Sequence, residues 1–243
     1  SVYKEARRKC CDVIVVTTGG KIEEYARVSK LIIVNIPTGY QPRAALAYQF
    51  FVILRILERL RLIESKAKDA IKLKDELKAQ IPGLEKNAII LSEKLAHKTP
   101  LVYSGPRFGA IGYRWKCQFN ENSKSMAFHN TFPELGHNEI MAWDCPAKMR
   151  QDTFLIMLRD VDDHDRVRKG MDAAYAILEP LAGSALAIDS IGAGGPAGRL
   201  SRLLSTVVMA DLTSVYLAVE YGRDPTPIGK IEQIKEKLGS EDE

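Results

Sequence analysis

The chain has 243 residues, 46% of them hydrophobic, enough for a sizeable core in one large domain or two small ones. Its 35 Lys and Arg against 31 Asp and Glu leave a formal net charge of +4, and no polybasic run is interleaved with aromatics, which argues against nucleic acid as a partner. Cysteines stand only at 10, 11, 117 and 145 with no CxxC spacing, which argues against a disulfide framework or a zinc site and fits a reducing cytoplasm.

Taken in chain order, Ser1 to Lys9 reads as the tail of an amphipathic helix, so the domain is expected to begin before Ser1. DVIVVTTGG (12–20) is a β-branched run ending in glycines and reads as a buried parallel strand. KIEEYARVSK (21–30) has helical spacing, and LIIVNIP (31–37) is a second buried strand closed by proline. The run 42–60 is a strong helix with Pro42 at or near its first turn. Strand–helix–strand–helix order predicts an α/β domain with a parallel sheet. Residues 63–83 are highly charged and read as a solvated linker helix, with Pro82 and Gly83 as punctuation.

The alternation then resumes. Helices are expected at 84–98, 108–121, 133–143, 162–179, 199–221 and 228–238, and strands at 99–105, 125–131, 152–160 and 184–190. GAGGPAG (192–198) is a flexible connection, and an acidic tail ends the chain. The domains are therefore 1–62, a linker at 63–83, and a complete doubly wound domain over 84–243. The shared element order of the two halves suggests an internal repeat. No apolar segment approaches the roughly 18 residues of a membrane span, and no signal peptide opens the chain. Cys117 reads as a buried free thiol.

One stretch concentrates chemistry. FNENSKSMAFHNTFPELGHNEIMAW (119–143) sets Glu121, Lys124, His129, Glu134, His137, Asn138 and Glu139 among apolar residues. Groups of this kind are costly to desolvate, and an apolar site can tune them for proton transfer. Glu134, His137 and Asn138 are spaced i, i+3, i+4 and would share one helix face. His129 on an apolar strand suggests a core hydrogen bond, and His164 in an acidic first turn a capping environment. GAGGPAG lacks the GK[ST] of a nucleotide loop, and the histidines and carboxylates lack HExxH spacing, so no metal and no cofactor are expected.

Six pieces occur in one order: TTGGKIEEYA, IPTGYQPRAAL, NENSK, PELGHNE, DLTSVYLA and DPTPIGKIEQIKEKL. Together they resemble the bifunctional phosphoglucose/phosphomannose isomerases, across nearly the whole chain. The resemblance implies two sugar-isomerase (SIS) α/β domains, the first N-terminally incomplete here because the phosphate-binding loop would precede Ser1. It implies interconversion of glucose 6-phosphate or mannose 6-phosphate with fructose 6-phosphate through a cis-enediolate. By motif it implies Glu121 as the base between C1 and C2, and His137 as a ring-opening group reaching the partner subunit's site. It implies Arg43 as enediolate stabiliser and Lys235 as a ring-opening partner, with Lys230 and Lys237 close by. Thr226 is the nearest match to the threonine that admits the mannose epimer, and Gly19 and Gly20 fall at the substrate. Position 136 is Gly where the family commonly has Asn. A homodimer, a small-molecule sugar phosphate, no membrane and a cytoplasmic location follow. The rival is a non-catalytic SIS protein that senses a sugar phosphate.

The residues suit that chemistry. Aldose–ketose isomerisation needs a carboxylate over the C1–C2 bond in a dry pocket, an imidazole near neutral pH at the ring oxygen, and a fixed guanidinium for the enediolate. Glu121, between a helix-like run and a strand, is expected at the ligand crevice of a doubly wound sheet. Arg107 and Arg114 are alternative substrate contacts.

Overall fold

The computed structural model describes residues 2–191 and 197–239. Residues 192–196 of the connection expected at 192–198, and the tail at 240–243, lie outside the described residues. The chain divides into two compact units, Ser1–Ala67 and Lys68–Glu243.

The first unit contains α1 (Val2–Arg8), β1 (Ile14–Thr17), α2 (Lys21–Val28), β2 (Ile32–Asn35) and α3 (Leu46–Arg59). β1 and β2 pair in parallel, Ile14 opposite Ile32 and Thr17 opposite Asn35. The expectation of two buried strands needs correction. Val15 and Thr17 are buried, but Ile32 is 64% exposed. Two strands with one crossover helix cover only one face. The uncovered face joins Ile14, Ile32 and Val34 to Val52 and Ile56 of α3 around an open apolar cavity of about 300 Å³. Pro42 opens a separate 3-10 turn, Pro42–Ala44, ahead of α3.

The second unit is wound around one sheet. Its helices and strands are α4 (Ala67–Leu95), β3 (Thr99–Ser104), α5 (Gly109–Gln118), β4 (Phe128–Thr131), α6 (Ala147–Gln151), β5 (Thr153–Arg159), α7 (Asp165–Leu178), β6 (Ser184–Asp189), α8 (Arg199–Glu220) and α9 (Gly229–Gly239). The strands lie in the order β4-β3-β5-β6, and every pair is parallel. β5 reads FLIML because both its faces are covered. Phe154, Ile156 and Leu158 pack with Trp115 of α5, Leu91 of α4 and Leu217 of α8. Leu155 and Met157 pack on the opposite face with Tyr103, Met171 and Leu178. Period-two alternation thus feeds two cores from one strand.

Several sequence expectations are corrected here. Pro82 and Gly83 do not break the chain; α4 runs unbroken through them. Proline deletes one helical hydrogen bond, but Pro82 is exposed, so water can serve the carbonyl left over. The charged first half of α4 is docked rather than solvated. Leu73 is buried, Glu76 accepts the amide of Ala197 at 2.6 Å, and Gln80 bonds Ser205 at 2.6 Å. Residues 133–143 form 3-10 turns at Glu134–Gly136 and Glu139–Asp144 instead of an α-helix. α8 is long and apolar enough to cross a membrane, contrary to expectation, with half of its apolar window buried inside the protein. Cys117 is half-buried, and all four cysteines are free.

Gly183 marks the tightest approach around β6. Its amide donates to Arg150 O at 2.9 Å, and a Cβ there would stand 1.8 Å from Gln151 O. Gly170, inside α7, has open space around its Cβ position. Gly183→Ala should therefore destabilise by about 1–3 kcal/mol through forced backbone movement. Gly170→Ala should stabilise by about 0.4–1 kcal/mol. Urea melts of the two variants check the opposite signs.

Candidate active site

The residues around Glu121 are held by a turn that α5 does not finish regularly. Phe119–Ser123 is a π-helical turn, a widening often found at functional sites. One carbonyl gathers it: Phe119 O accepts from the amides of Lys124 and Ser125 and from Ser123 Oγ at 2.7 Å. The two asparagines of the NEN triplet are anchored. Asn120 Nδ2 donates to Ser125 O at 2.8 Å, and Asn122 Nδ2 to Ser214 Oγ at 2.9 Å. Between them, Glu121 is half-buried.

Lys124 closes the turn in the left-handed region at φ 58°, a conformation uncommon outside glycine. Its ammonium donates to Glu121 O, to Pro225 O at 3.0 Å and to Pro227 O at 2.8 Å. Thr226 lies between those two prolines, and its amide donates to Asp224 Oδ1 at 2.7 Å. That amide holds the Asp224 carboxyl below its ordinary range. The candidate base and the candidate epimer-admitting threonine are thus tied to one lysine.

The position of Glu121 corrects an expectation. Crossover helices in a parallel sheet return to the amino ends of the strands, and α5 does so before β4. Glu121 therefore lies at the amino edge, not at the carboxyl-edge crevice. A cavity of about 560 Å³ opens beside it, lined by His97, Thr99, Lys124, Tyr221 and Arg223.

The carboxyl edge at the winding switch, between β3 and β5, is filled by the protein itself. Asp163 accepts the amides of Arg107 at 3.3 Å and Asp160 at 3.1 Å, and a Cβ on Gly105 would meet its carboxylate at 2.0 Å. Buried Asp160 is paired with buried Arg202 at 3.0 Å. Arg107 approaches Asp160 and Asp162 here, and Arg114 pairs with Asp211 at 2.7 Å, so both alternative arginines are engaged in ion pairs.

His137 follows β4 and so lies towards the carboxyl edge. It is exposed, and its amide donates to Glu134 O at 3.0 Å. Asn138 Nδ2 reaches Glu134 at 3.2 Å, although the turns are 3-10. Glu139, two residues on, ties this loop to the sheet: it accepts from Tyr103 Oη at 2.9 Å and from Asn130 Nδ2. Trp143 donates to the same phenol at 3.1 Å. Burial pushes the Tyr103 phenol well above its ordinary pKa, Trp143 opposes that, and the Glu139 charge adds to it.

The remaining candidates lie on other elements. Gly19 (φ 128°) and Gly20 (φ 77°) form a turn after β1 that side chains would strain, bound through Thr17 Oγ1. Arg43 lies half-buried in the 3-10 turn ahead of α3. Lys235 is exposed on α9. Among the described residues, no group of three or more His, Cys, Asp or Glu is placed to hold a metal ion.

Residues 84–238 match the bacterial phospho-glucose isomerase C-terminal SIS domain model. The chain belongs to that family. It is 37% identical to a bifunctional phosphoglucose/phosphomannose isomerase of Caldicellulosiruptor bescii, over 98% of this chain and 71% of the relative. A protein of the same name from Aquifex aeolicus is 35% identical over the same shares, 98% and 71%. A glucose-6-phosphate isomerase like protein from Thermus thermophilus has the same fold, with a TM-score of 0.57 at 18% identity, covering 87% of this chain and 75% of that one.

Within this SIS-family chain, sequence reasoning missed the roles of Lys124, Tyr103 and Glu139 as ties. Lys124 meets partners 101 and 103 residues away, a separation that leaves no local signal. His164 and His129 are as expected. His164 Nδ1 accepts the Arg166 amide at 3.1 Å as the N-cap of α7, and His129 Nε2 meets Ser104 Oγ at 3.0 Å. Burial lowers the His129 pKa, the Glu139 charge opposes that, and Lys116 adds to it. The folded protein thus keeps His129 neutral where the unfolded chain still takes a proton. The stability this contributes is complete above the unfolded value of about 6.5 and is lost as pH falls through the folded value. Melting temperature should drop between pH 7.5 and 5, and the drop should be smaller in His129→Gln, as a thermal melt series would show.

Proposed function

We propose that this chain is an aldose–ketose isomerase that interconverts glucose 6-phosphate and mannose 6-phosphate with fructose 6-phosphate. Kinship with the bifunctional isomerases supports the reaction. The observation that carries the assignment of the base is the π-turn: two anchored asparagines flank Glu121, whose backbone is tied by Lys124 to the Thr226 loop. In this reading Glu121 removes the C2 proton and returns it to C1, while a proton passes between O1 and O2. His137 and Lys235 open the ring, Arg43 stabilises the enediolate, and Thr226, Gly19 and Gly20 contact substrate. The reaction moves only protons, so the reading includes no metal or cofactor.

The same reading divides the chain into two SIS domains, 1–62 and 84–243, joined by 63–83. It makes the protein a cytoplasmic homodimer. Glu121 at the amino edge and His137 towards the carboxyl edge fit a site completed by His137 of a second copy. α3, which buries none of its residues, offers apolar surface for such an assembly. α8 does so less, because its Val207, Met209, Ala210, Leu217 and Ala218 are buried in the core of their own unit.

Glu121→Gln keeps shape and hydrogen bonding but removes basicity. It should lower kcat by about 10²–10⁴-fold with little change in KM. His137→Ala should slow a cyclic sugar phosphate more than one supplied in open-chain form. A coupled assay on both substrate forms separates the two roles. Near-wild-type turnover by Glu121→Gln would sink the base assignment and turn attention to Glu134 and Glu139. Absence of any turnover in the wild type would favour the sugar-phosphate sensor. Sedimentation at micromolar concentration should give a dimer; a monomer would remove the shared role of His137.

A further inference from the structure

We infer that Lys124 is a positioning residue: its one ammonium sets the base-bearing turn and the Thr226 loop in mutual register. The inference rests on the reading of Glu121 as base and Thr226 as the wall that meets the epimeric hydroxyl.

The geometry is specific. The three carbonyls that Lys124 holds belong to Glu121 and to the residues on either side of Thr226. Pro225 and Pro227 fix their own φ and push the residues before them into extended conformations, so Asp224 and Thr226 have few backbone alternatives. The Asp224 carboxylate then takes the Thr226 amide at 2.7 Å. The loop is stiff on its own account, and the Lys124 side chain links it to Glu121. Lys124 itself stands at φ 58°, where Gly or Asn is the ordinary choice. A charged residue kept in that conformation, with its ammonium on carbonyls more than a hundred residues away, points to a role for the ammonium rather than for the turn.

Lys124→Met keeps the aliphatic stem and removes the donors. The expected result is a fall in kcat of about 10–100-fold on both aldoses, as for a base displaced by a fraction of an ångström to an ångström. KM should stay within about twofold, and the glucose-to-mannose ratio of kcat/KM should shift by more than about threefold. Lys124→Cys treated with 2-bromoethylamine rebuilds an ammonium of nearly the native length. It should regain both turnover and ratio, with treated wild type as the control because Cys10 and Cys11 are also exposed.

Lys124→Met with native turnover and ratio would overturn the inference. If Lys124→Met does not fold, Lys124→Cys is compared before and after aminoethylation; recovery of melting temperature without recovery of the ratio overturns it equally. Activity surviving in Glu121→Gln strikes the underlying reading instead. An unaffected Lys124→Met in an enzyme that Glu121→Gln inactivates strikes this inference alone.

Discussion

Burial of both faces of β3 and β5 is the constraint from which the second unit follows. Val102, Phe154, Ile156 and Leu158 need one apolar layer, and Tyr103, Leu155 and Met157 need another. Parallel strands can be joined only by crossovers, and the crossovers supply those layers. α4, α5 and α8 cover one face and α7 the other. Each crossover then carries the chain from the carboxyl edge back to the amino edge, so every loop belongs to one edge or the other before its own residues have any say.

That division decides what the polar residues can do. The carboxyl edge at the switch between β3 and β5 is where a doubly wound sheet ordinarily receives a ligand. Here Asp163 accepts the amides that would face such a ligand, and Arg202 pairs with Asp160 beneath it. These are structural ties: a buried charge must be paired, and losing either partner leaves the other desolvated and alone. The amino edge is built differently. Its ties at Phe119 O, Asn120, Asn122 and Lys124 run to backbone carbonyls and neutral side chains, and half-buried Glu121 stands in the chain between the two asparagines.

The loop bearing His137 is fastened by the same principle. Two short 3-10 turns carry little stability of their own, so the loop depends on Glu139, which Tyr103 of β3 and Asn130 of β4 hold to the sheet. The buried phenol and the half-buried carboxylate satisfy each other, as buried polar groups must. Imidazole and carboxylate thus each stand beside a rigid anchor, on elements running in opposite directions from β4.

Much of this was legible in the residues. Apolar runs alternating with helical periods mark the six described strands and the parallel winding, most plainly in β5, where burial on two faces demands apolar side chains at successive positions. Glu121, His137 and Arg43 stand out through motifs that are local in sequence. Three things were not legible. The unbroken passage of α4 through Pro82 depends on which side of the helix meets water. The exposure of β2 depends on how many strands stand beside it. The place of Glu121 at the amino edge, and its tie through Lys124 to prolines 101 and 103 residues away, depends on the direction in which each crossover returns. Periodicity and spacing report a residue's immediate neighbours; which distant carbonyl an ammonium meets is decided only when the helices have packed.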